Sequence, residues 1–98
     1  MSESQIHVPE SFQALFRAGA SGRLREPWHH VLERYECCED MAQGLLPQAR
    51  ALVADLGVLA DDVAPKMAAG LTHPSVGFAP EEAQWVERRL VELVEHGL

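Results

Sequence analysis

The sequence is poor in cysteine, lysine and aromatic residues, and it has no long hydrophobic run. Its 98 residues include two cysteines, the neighbours Cys37 and Cys38, and a single lysine, Lys66. Two adjacent cysteines cannot build a disulfide framework, and the first residues lack the basic and apolar regions of a secretory signal. No stretch approaches the roughly 20 apolar residues of a membrane-spanning helix. We therefore expect a reduced, cytoplasmic protein that does not enter the membrane.

The short motifs of common nucleotide-binding and hydrolytic sites are also missing. The single lysine lies in Ala-Pro-Lys66-Met, outside any Gly-x-x-x-x-Gly-Lys phosphate loop. The patterns Gly-x-Ser-x-Gly, His-Glu-x-x-His and Gly-x-Gly-x-x-Gly do not occur either. Since no catalytic set remains, we expect a protein that is not an enzyme and has no cofactor.

The charge balance is acidic. Fifteen Asp and Glu residues face eight Lys and Arg residues, which gives a formal net charge of −7. Nucleic-acid binding begins with a basic patch, and the arginines here are spread among acids. We expect no nucleic-acid partner, whereas a basic protein surface remains a suitable one.

Apolar residues recur at steps of three and four, which is typical of amphipathic helices, and no alternation of period two indicates a strand. Residues 1–7 are predicted to be frayed. Length and pattern together predict an all-α fold, a small bundle of four helices that forms one domain over residues 1–98. The predicted helices begin at Pro9, Pro27, Asp61 and Pro80 and end at Gly19, Gly57, Gly70 and Gly97.

The second predicted helix carries the longest apolar stripe, from Trp28 to Leu56. Pro47 falls inside it and removes the N–H that would bond to the carbonyl of Gln43. The stripe keeps its phase across the proline, so we expect one long helix kinked near residues 43–47. Two helices broken there are the alternative. A helix that outruns the core of its own domain exposes part of its stripe, and a homodimer would cover it.

One face of this helix carries metal-ligating residue types. His29, Glu33 and Cys37 lie four residues apart, so they share an exposed face. One helix seldom closes a metal site alone, and a solvated polar face is the alternative interpretation. Cys38 lies on the apolar stripe and is predicted to be a small core residue, whereas acidic neighbours disfavour a reactive thiolate at Cys37.

Three aromatic residues are candidates for contacts with a partner. Trp28, Tyr35 and Trp85 belong to the predicted second and fourth helices. Aromatic residues are enriched where binding energy is concentrated. The alternative is that Trp28 and Trp85 pack the ends of the core.

Several short segments, together with Pro9-x-Ser11-Phe12, form a wider pattern: Arg34-Tyr35-Glu36-x-Cys38-Glu39-Asp40-x-Ala42-Gln43, Asp55-Leu56-Gly57, Asp61-Asp62-Val63, Ala69-Gly70-Leu71 and Ala83-x-Trp85-Val86-x-Arg88-x-Leu90. In these segments the sequence resembles a family of short proteobacterial proteins described as "ATPase with chaperone activity". The resemblance implies ATP hydrolysis and chaperone activity, but the chain departs from an ATPase because it has no phosphate loop. It also departs from the family pattern at Pro47, and at Leu59 and Ala79, where a Ser or Thr helix cap is expected.

The leading hypothesis is a non-enzymatic protein-interaction module, an adaptor or chaperone-like bacterial subunit that forms a homodimer. The alternative is a metal- or redox-responsive sensor that uses the face of His29, Glu33 and Cys37.

Overall fold

The computed structural model describes residues 7–19 and 22–96. These residues are mostly helical, with four α-helices as predicted and a small two-stranded sheet that the sequence pattern does not predict. Of the predicted frayed segment, only His7 lies inside the described residues. None of the described helices is long and apolar enough to cross a membrane. The elements are α1 (Glu10–Gln13), a 3₁₀ helix (Ala14–Phe16), β1 (Arg17–Ala18), β2 (Arg23–Leu24), α2 (Trp28–Leu56), α3 (Ala60–Ala68) and α4 (Pro80–Glu95).

Contacts between residues divide the chain into two compact units, one that ends at Glu36 and one that begins at Cys37. The first unit opens with a single helical turn. The carbonyl of Pro9 accepts the N–H groups of Phe12 and Gln13 at 3.0 and 3.1 Å, so Pro9 caps α1. Phe12 and Phe16 are buried, and their ring centroids lie 5.6 Å apart. A single domain built as a bundle of all four helices stays a prediction.

The first helix is shorter than predicted, because the backbone becomes extended at Arg17 (φ −84°, ψ 142°). Arg17 pairs with Leu24, and Ala18 pairs with Arg23, in an antiparallel hairpin. The guanidinium of Arg17 donates to both carboxylate oxygens of Glu10 at 2.8 Å and to the carbonyl of Gly22 at 2.7 Å. These bonds tie the side chain to both α1 and the far arm of the hairpin. Strands of two residues are too short to show an alternating pattern.

The long helix α2 runs for 29 residues without a break at Pro47, which excludes the alternative of two helices. It begins one residue after Pro27, whose carbonyl accepts the N–H groups of His30 and Val31 at 3.0 and 3.2 Å. It ends as predicted at Gly57, which adopts the left-handed conformation (φ 67°) and donates its N–H to the carbonyl of Val53 at 3.0 Å.

The predicted apolar stripe of α2 is confirmed in its middle and wrong at its two ends. Val31, Cys38 and Ala49 are buried, whereas the side chains of Trp28 and Leu56 are 47% and 65% exposed. These two residues are the first and last of the helix. A terminal residue has helix on one side of it only, so the stripe loses its cover there.

In the second unit, α2, α3 and α4 share one hydrophobic core. Ala49 on α2, Val63 and Ala64 on α3 and Leu90 on α4 are buried at its centre. The half-buried residues that pack around them are Leu45, Leu46, Leu52, Val53, Val58, Met67, Val91 and Val94. Small residues such as Ala49 and Ala64 allow helices to approach each other closely.

The residues at the N-cap positions of α3 and α4, Leu59 and Ala79, are apolar, and their side chains cannot cap a helix. The carboxylates of Asp62 and Glu82, three residues on, accept the N–H groups of these two residues at 3.3 and 3.0 Å. The prediction that Asp61 caps α3 is therefore wrong by two residues, and Asp61 lies in the first turn. Pro65 lies in the second turn of α3.

Candidate interaction surfaces

The predicted metal-binding face is present as an exposed row of side chains. His29, Glu33 and Cys37 are all exposed on α2. Among residues 7–19 and 22–96, no three His, Cys, Asp or Glu side chains are grouped so that they could hold a metal ion. Cys38 is buried and Cys37 is exposed, as predicted, and both are free thiols. Any metal on this face would need donors beyond those that the described residues bring together.

The three aromatic candidates differ in their surroundings. Trp28 is 47% exposed at the start of α2, whereas Trp85 is buried, with 9% of its surface exposed. Tyr35 is half-buried, and its ring meets that of Phe12 edge-on at 5.5 Å between centroids. Of the three, only Trp28 therefore offers a large apolar surface to a partner. The interaction roles of all three stay predictions.

A charged network links α2 to α4 within the second unit. The guanidinium of Arg89 donates from Nε and Nη2 to the two oxygens of Glu39 at 2.9 and 3.0 Å, in a bidentate pair. Arg89 Nη1 also donates to Glu92 at 3.2 Å, and Gln43 donates to Glu39 at 2.9 Å. The side chains of Glu39 and Arg89 are 18% and 31% exposed, so water screens this pair less than a fully exposed one.

The network sets the pKa of Glu39. Desolvation raises this pKa, but the hydrogen bonds from Arg89 and Gln43 and the positive charge of Arg89 together outweigh desolvation, so the pKa lies below its ordinary value. The carboxylate therefore stays ionised at neutral pH and fixes Arg89. A guanidinium held in this way positions the helices and is not free to take up a ligand.

Beside this network lies a groove of about 470 Å³ that opens to solvent. Its walls include Leu46 and Arg50 of α2 and Arg89 and Leu93 of α4. Both arginines already have a partner: Arg89 bonds Glu39 and Glu92, and Arg50 also interacts with another group. The groove therefore offers a ligand apolar contact and little unused charge.

A different kind of surface lies at the connection between α2 and α3. Leu56, the last residue of α2, and Leu59, the cap of α3, are 65% and 68% exposed. Two residues lie between them, which makes three Cα–Cα steps, so their Cα atoms are at most about 11 Å apart. Asp55, Asp61 and Asp62 are exposed on either side of them. We call Leu56, Leu59 and these three aspartates the leucine edge.

The local backbone explains why both leucines face solvent. Gly57 turns the chain with a positive φ, and Leu59 has the extended conformation of a helix cap (φ −85°, ψ 154°). Between them, Val58 packs against the core of the second unit. Val58 is therefore packed against the core, whereas Leu56 and Leu59 on either side of the turn face solvent. A pair of exposed leucines separated by so short a stretch is an apolar surface suited to a partner.

The sequence pattern does not reveal the leucine edge. It places Leu56 on the predicted apolar stripe of α2, and Leu59 stands out only as an unusual cap. The signal was the position of Leu56 directly before the left-handed Gly57, where a helix stops and its stripe has no further turn to pack against.

No protein-family model, curated protein or solved structure matches this chain. The resemblance to the proteobacterial family stays a prediction.

Proposed function

We propose that this chain is a non-enzymatic protein-interaction module, an adaptor or chaperone-like subunit, and that the leucine edge is one of its contact surfaces. The observation that carries the proposal is the exposure of Leu56 and Leu59, 65% and 68%, in a unit whose other large apolar residues mostly pack into the core. Exposed apolar area of this kind costs a folded protein solubility unless a partner covers it.

The proposal includes self-association into a homodimer, because a small core gains from burial against a second copy. It also includes a reducing, cytoplasmic setting, which the two free thiols of Cys37 and Cys38 support. The acidic balance supports a protein partner and disfavours nucleic acid.

Two measurements test this proposal. Sedimentation velocity over a range of micromolar concentrations reports the homodimer, and the aggregation of reduced, denatured insulin reports chaperone-like binding of exposed apolar chains. We expect association in at least one assay, and we expect Leu56→Ser together with Leu59→Ser to weaken the binding of insulin chains rather than the homodimer. A protein that stays monomeric throughout and leaves insulin aggregation unchanged would refute the proposal.

The competing proposal is a metal- or redox-responsive sensor, supported by the exposure of His29, Glu33 and Cys37 on one helix. Such a site needs a further donor, since zinc takes four ligands. Elemental analysis of the purified protein tests it. Stoichiometric zinc or iron that is lost on Cys37→Ala supports the sensor, and metal-free protein argues against it.

A further inference from the structure

We propose that the leucine edge binds a different protein, through an apolar groove on that partner whose rim carries Lys or Arg side chains. This inference rests on the proposed function and specifies the chemistry of the partner. It follows from the apolar side chains of the edge, from the charges around them and from the charge of a second copy.

The apolar part of the edge fits a groove. Leu56 and Leu59 project from the connection between two helices, and Val58 between them holds that connection against the core. The backbone at this point is fixed by the bond from Gly57 to Val53 and by the bond from Leu59 to Asp62. Because the connection is anchored before binding, little conformational entropy is lost when the two leucines enter a groove.

The surrounding charge specifies the rim of that groove. Asp55, Asp61 and Asp62 are exposed within three residues of one leucine or the other. The edge also includes the C-terminus of α2, where free carbonyls carry partial negative charge, and no basic residue lies in the last turn to offset it. The N-terminus of α3, with the opposite partial charge, lies at the same edge, so the three carboxylates are what favour a cationic rim.

The charge of the second unit points the same way. Residues 37–98 hold ten Asp and Glu against four Lys and Arg, a formal charge of −6 out of the chain's −7. A second copy brought to the edge would set its own acidic rim against this one, and like charges juxtaposed across an interface oppose binding. The acidic edge attracts a basic partner and repels a second copy. Charge complementarity thus favours a different protein as the occupant.

The test uses the full chain and a dye-labelled amphipathic helical peptide, with leucines along one face and lysines beside them. A second peptide replaces each lysine by glutamate. Fluorescence anisotropy at low and high salt reports binding. We expect the lysine peptide to bind at least about tenfold more tightly than the glutamate peptide, and to lose most of that advantage at about 1 M salt, where the Debye length is about 3 Å.

Two pairs of variants locate the binding. Leu56→Ser with Leu59→Ser removes the apolar part, and Asp55→Asn with Asp61→Asn removes charge; each is expected to weaken the lysine peptide about tenfold. Serine is a good helix cap at position 59, so the first variant keeps α3 intact. The matched controls, Val76→Ser and Asp40→Asn, alter an exposed apolar residue and an exposed acid elsewhere and should leave binding unchanged.

Several results would overturn the inference. These are equal binding of both peptides, binding that ignores the leucine variant, or a homodimer that Leu56→Ser with Leu59→Ser dissociates, which would make a second copy the occupant. Those results leave the interaction module itself standing. The module fails only when the chain associates with neither itself nor insulin.

Discussion

Glu39 and Leu90 show how single residues hold the second unit together by different means. Glu39 joins α2 to α4 through a charged pair with Arg89 at 2.9 Å, whereas Leu90 fills the core and is 0% exposed. The contribution of the charged pair to stability depends on pH, whereas that of the buried leucine does not. Each contribution can therefore be measured separately.

The lowered pKa of Glu39 predicts a pH dependence of stability. A carboxyl whose pKa is lower in the folded than in the unfolded state stabilises the fold above its unfolded pKa, and this stabilisation is lost as the pH falls through the folded pKa. We expect Glu39→Gln to cost about 1 kcal/mol at pH 7, near the upper end for partly exposed pairs. The cost should shrink as the pH falls below the ordinary pKa of a Glu side chain, about 4.3, toward the lowered folded pKa, since Glu39 of the natural protein then becomes protonated.

Urea unfolding of the natural protein and Glu39→Gln from neutral to acidic pH measures this difference. Asp40→Gln, an exposed neighbour on the same helix, serves as the control and should change stability little at any pH. A cost that stays constant with pH would mean that Glu39 acts through packing rather than charge.

Leu90→Ala should destabilise the protein by about 2–5 kcal/mol, because it leaves a cavity in a closed core. Leu56→Ala removes the same atoms from a side chain that is 65% exposed, so it should change stability by less than about 0.5 kcal/mol in dilute solution. Thermal or urea unfolding compares the two. Similar losses at both positions would show that Leu56 is covered in solution.

At the scale of elements, Gly44 inside α2 and Gly57 directly after it show two different roles of glycine. Gly57 ends the helix with φ 67°, whereas Gly44 lies inside it, and an added Cβ would meet nothing within 4 Å at either place. Backbone conformation is thus the main difference between them.

We expect Gly57→Ala to destabilise by about 1–2 kcal/mol, the cost of a left-handed conformation for a residue with a Cβ. Gly44→Ala should stabilise by about 0.5–1 kcal/mol, since alanine is the better helix former. Chemical denaturation of both variants tests this. A loss of stability at Gly44 would indicate that a partner needs the space beside it.

Pro47→Ala should stabilise α2, because alanine supplies the missing N–H to the carbonyl of Gln43. The gain is expected at about 1–3 kcal/mol, up to the full difference in helix propensity. Pro80 lies at the first position of α4, where a free N–H has no helical partner, so Pro80→Ala is a control with little expected effect.

Urea denaturation compares the two proline variants. If Pro47→Ala destabilises the protein, the proline shapes the helix to fit its core, and the loss of that fit outweighs the recovered hydrogen bond.

The prediction of elements succeeded where the chain gives a long pattern. The extent of α2 and the helix ends marked by Pro27, Gly57 and Pro80 follow from apolar periodicity and from prolines and glycines in the expected places. The hairpin after α1 was missed because its strands are two residues long and depend on the contacts of Arg17 with Glu10 and Gly22. Apolar periodicity cannot predict an element that is held mainly by the hydrogen bonds of one side chain.

For the whole molecule, the uneven charge has opposite effects on the two kinds of association. A net charge of −7 repels a second copy and attracts a basic partner. Salt weakens both effects, since the Debye length falls as ionic strength rises.

The fraction of homodimer should therefore rise between about 20 mM and about 500 mM salt, whereas binding of the lysine peptide should fall. Sedimentation velocity and anisotropy on the same preparation measure both. A dimer that weakens with salt would show that opposite charges, rather than apolar surface, hold the copies together.

The candidate sites were predicted unequally. The exposed row of His29, Glu33 and Cys37 follows from four-residue spacing on a helix. The leucine edge does not, because sequence marks Leu56 and Leu59 as apolar and says nothing of whether another element covers them. Glu39 and Arg89 are 50 residues apart along the chain, and their pairing exists only after α2 and α4 pack.

The sequence by itself determined the acidic balance, which depends on composition, and it determined the helical character and the main helix ends, because these depend on the order of neighbouring residues along the chain. Tertiary structure alone decided which apolar residues are covered and which charges pair between helices, because those outcomes depend on residues distant in sequence that meet only in the folded chain.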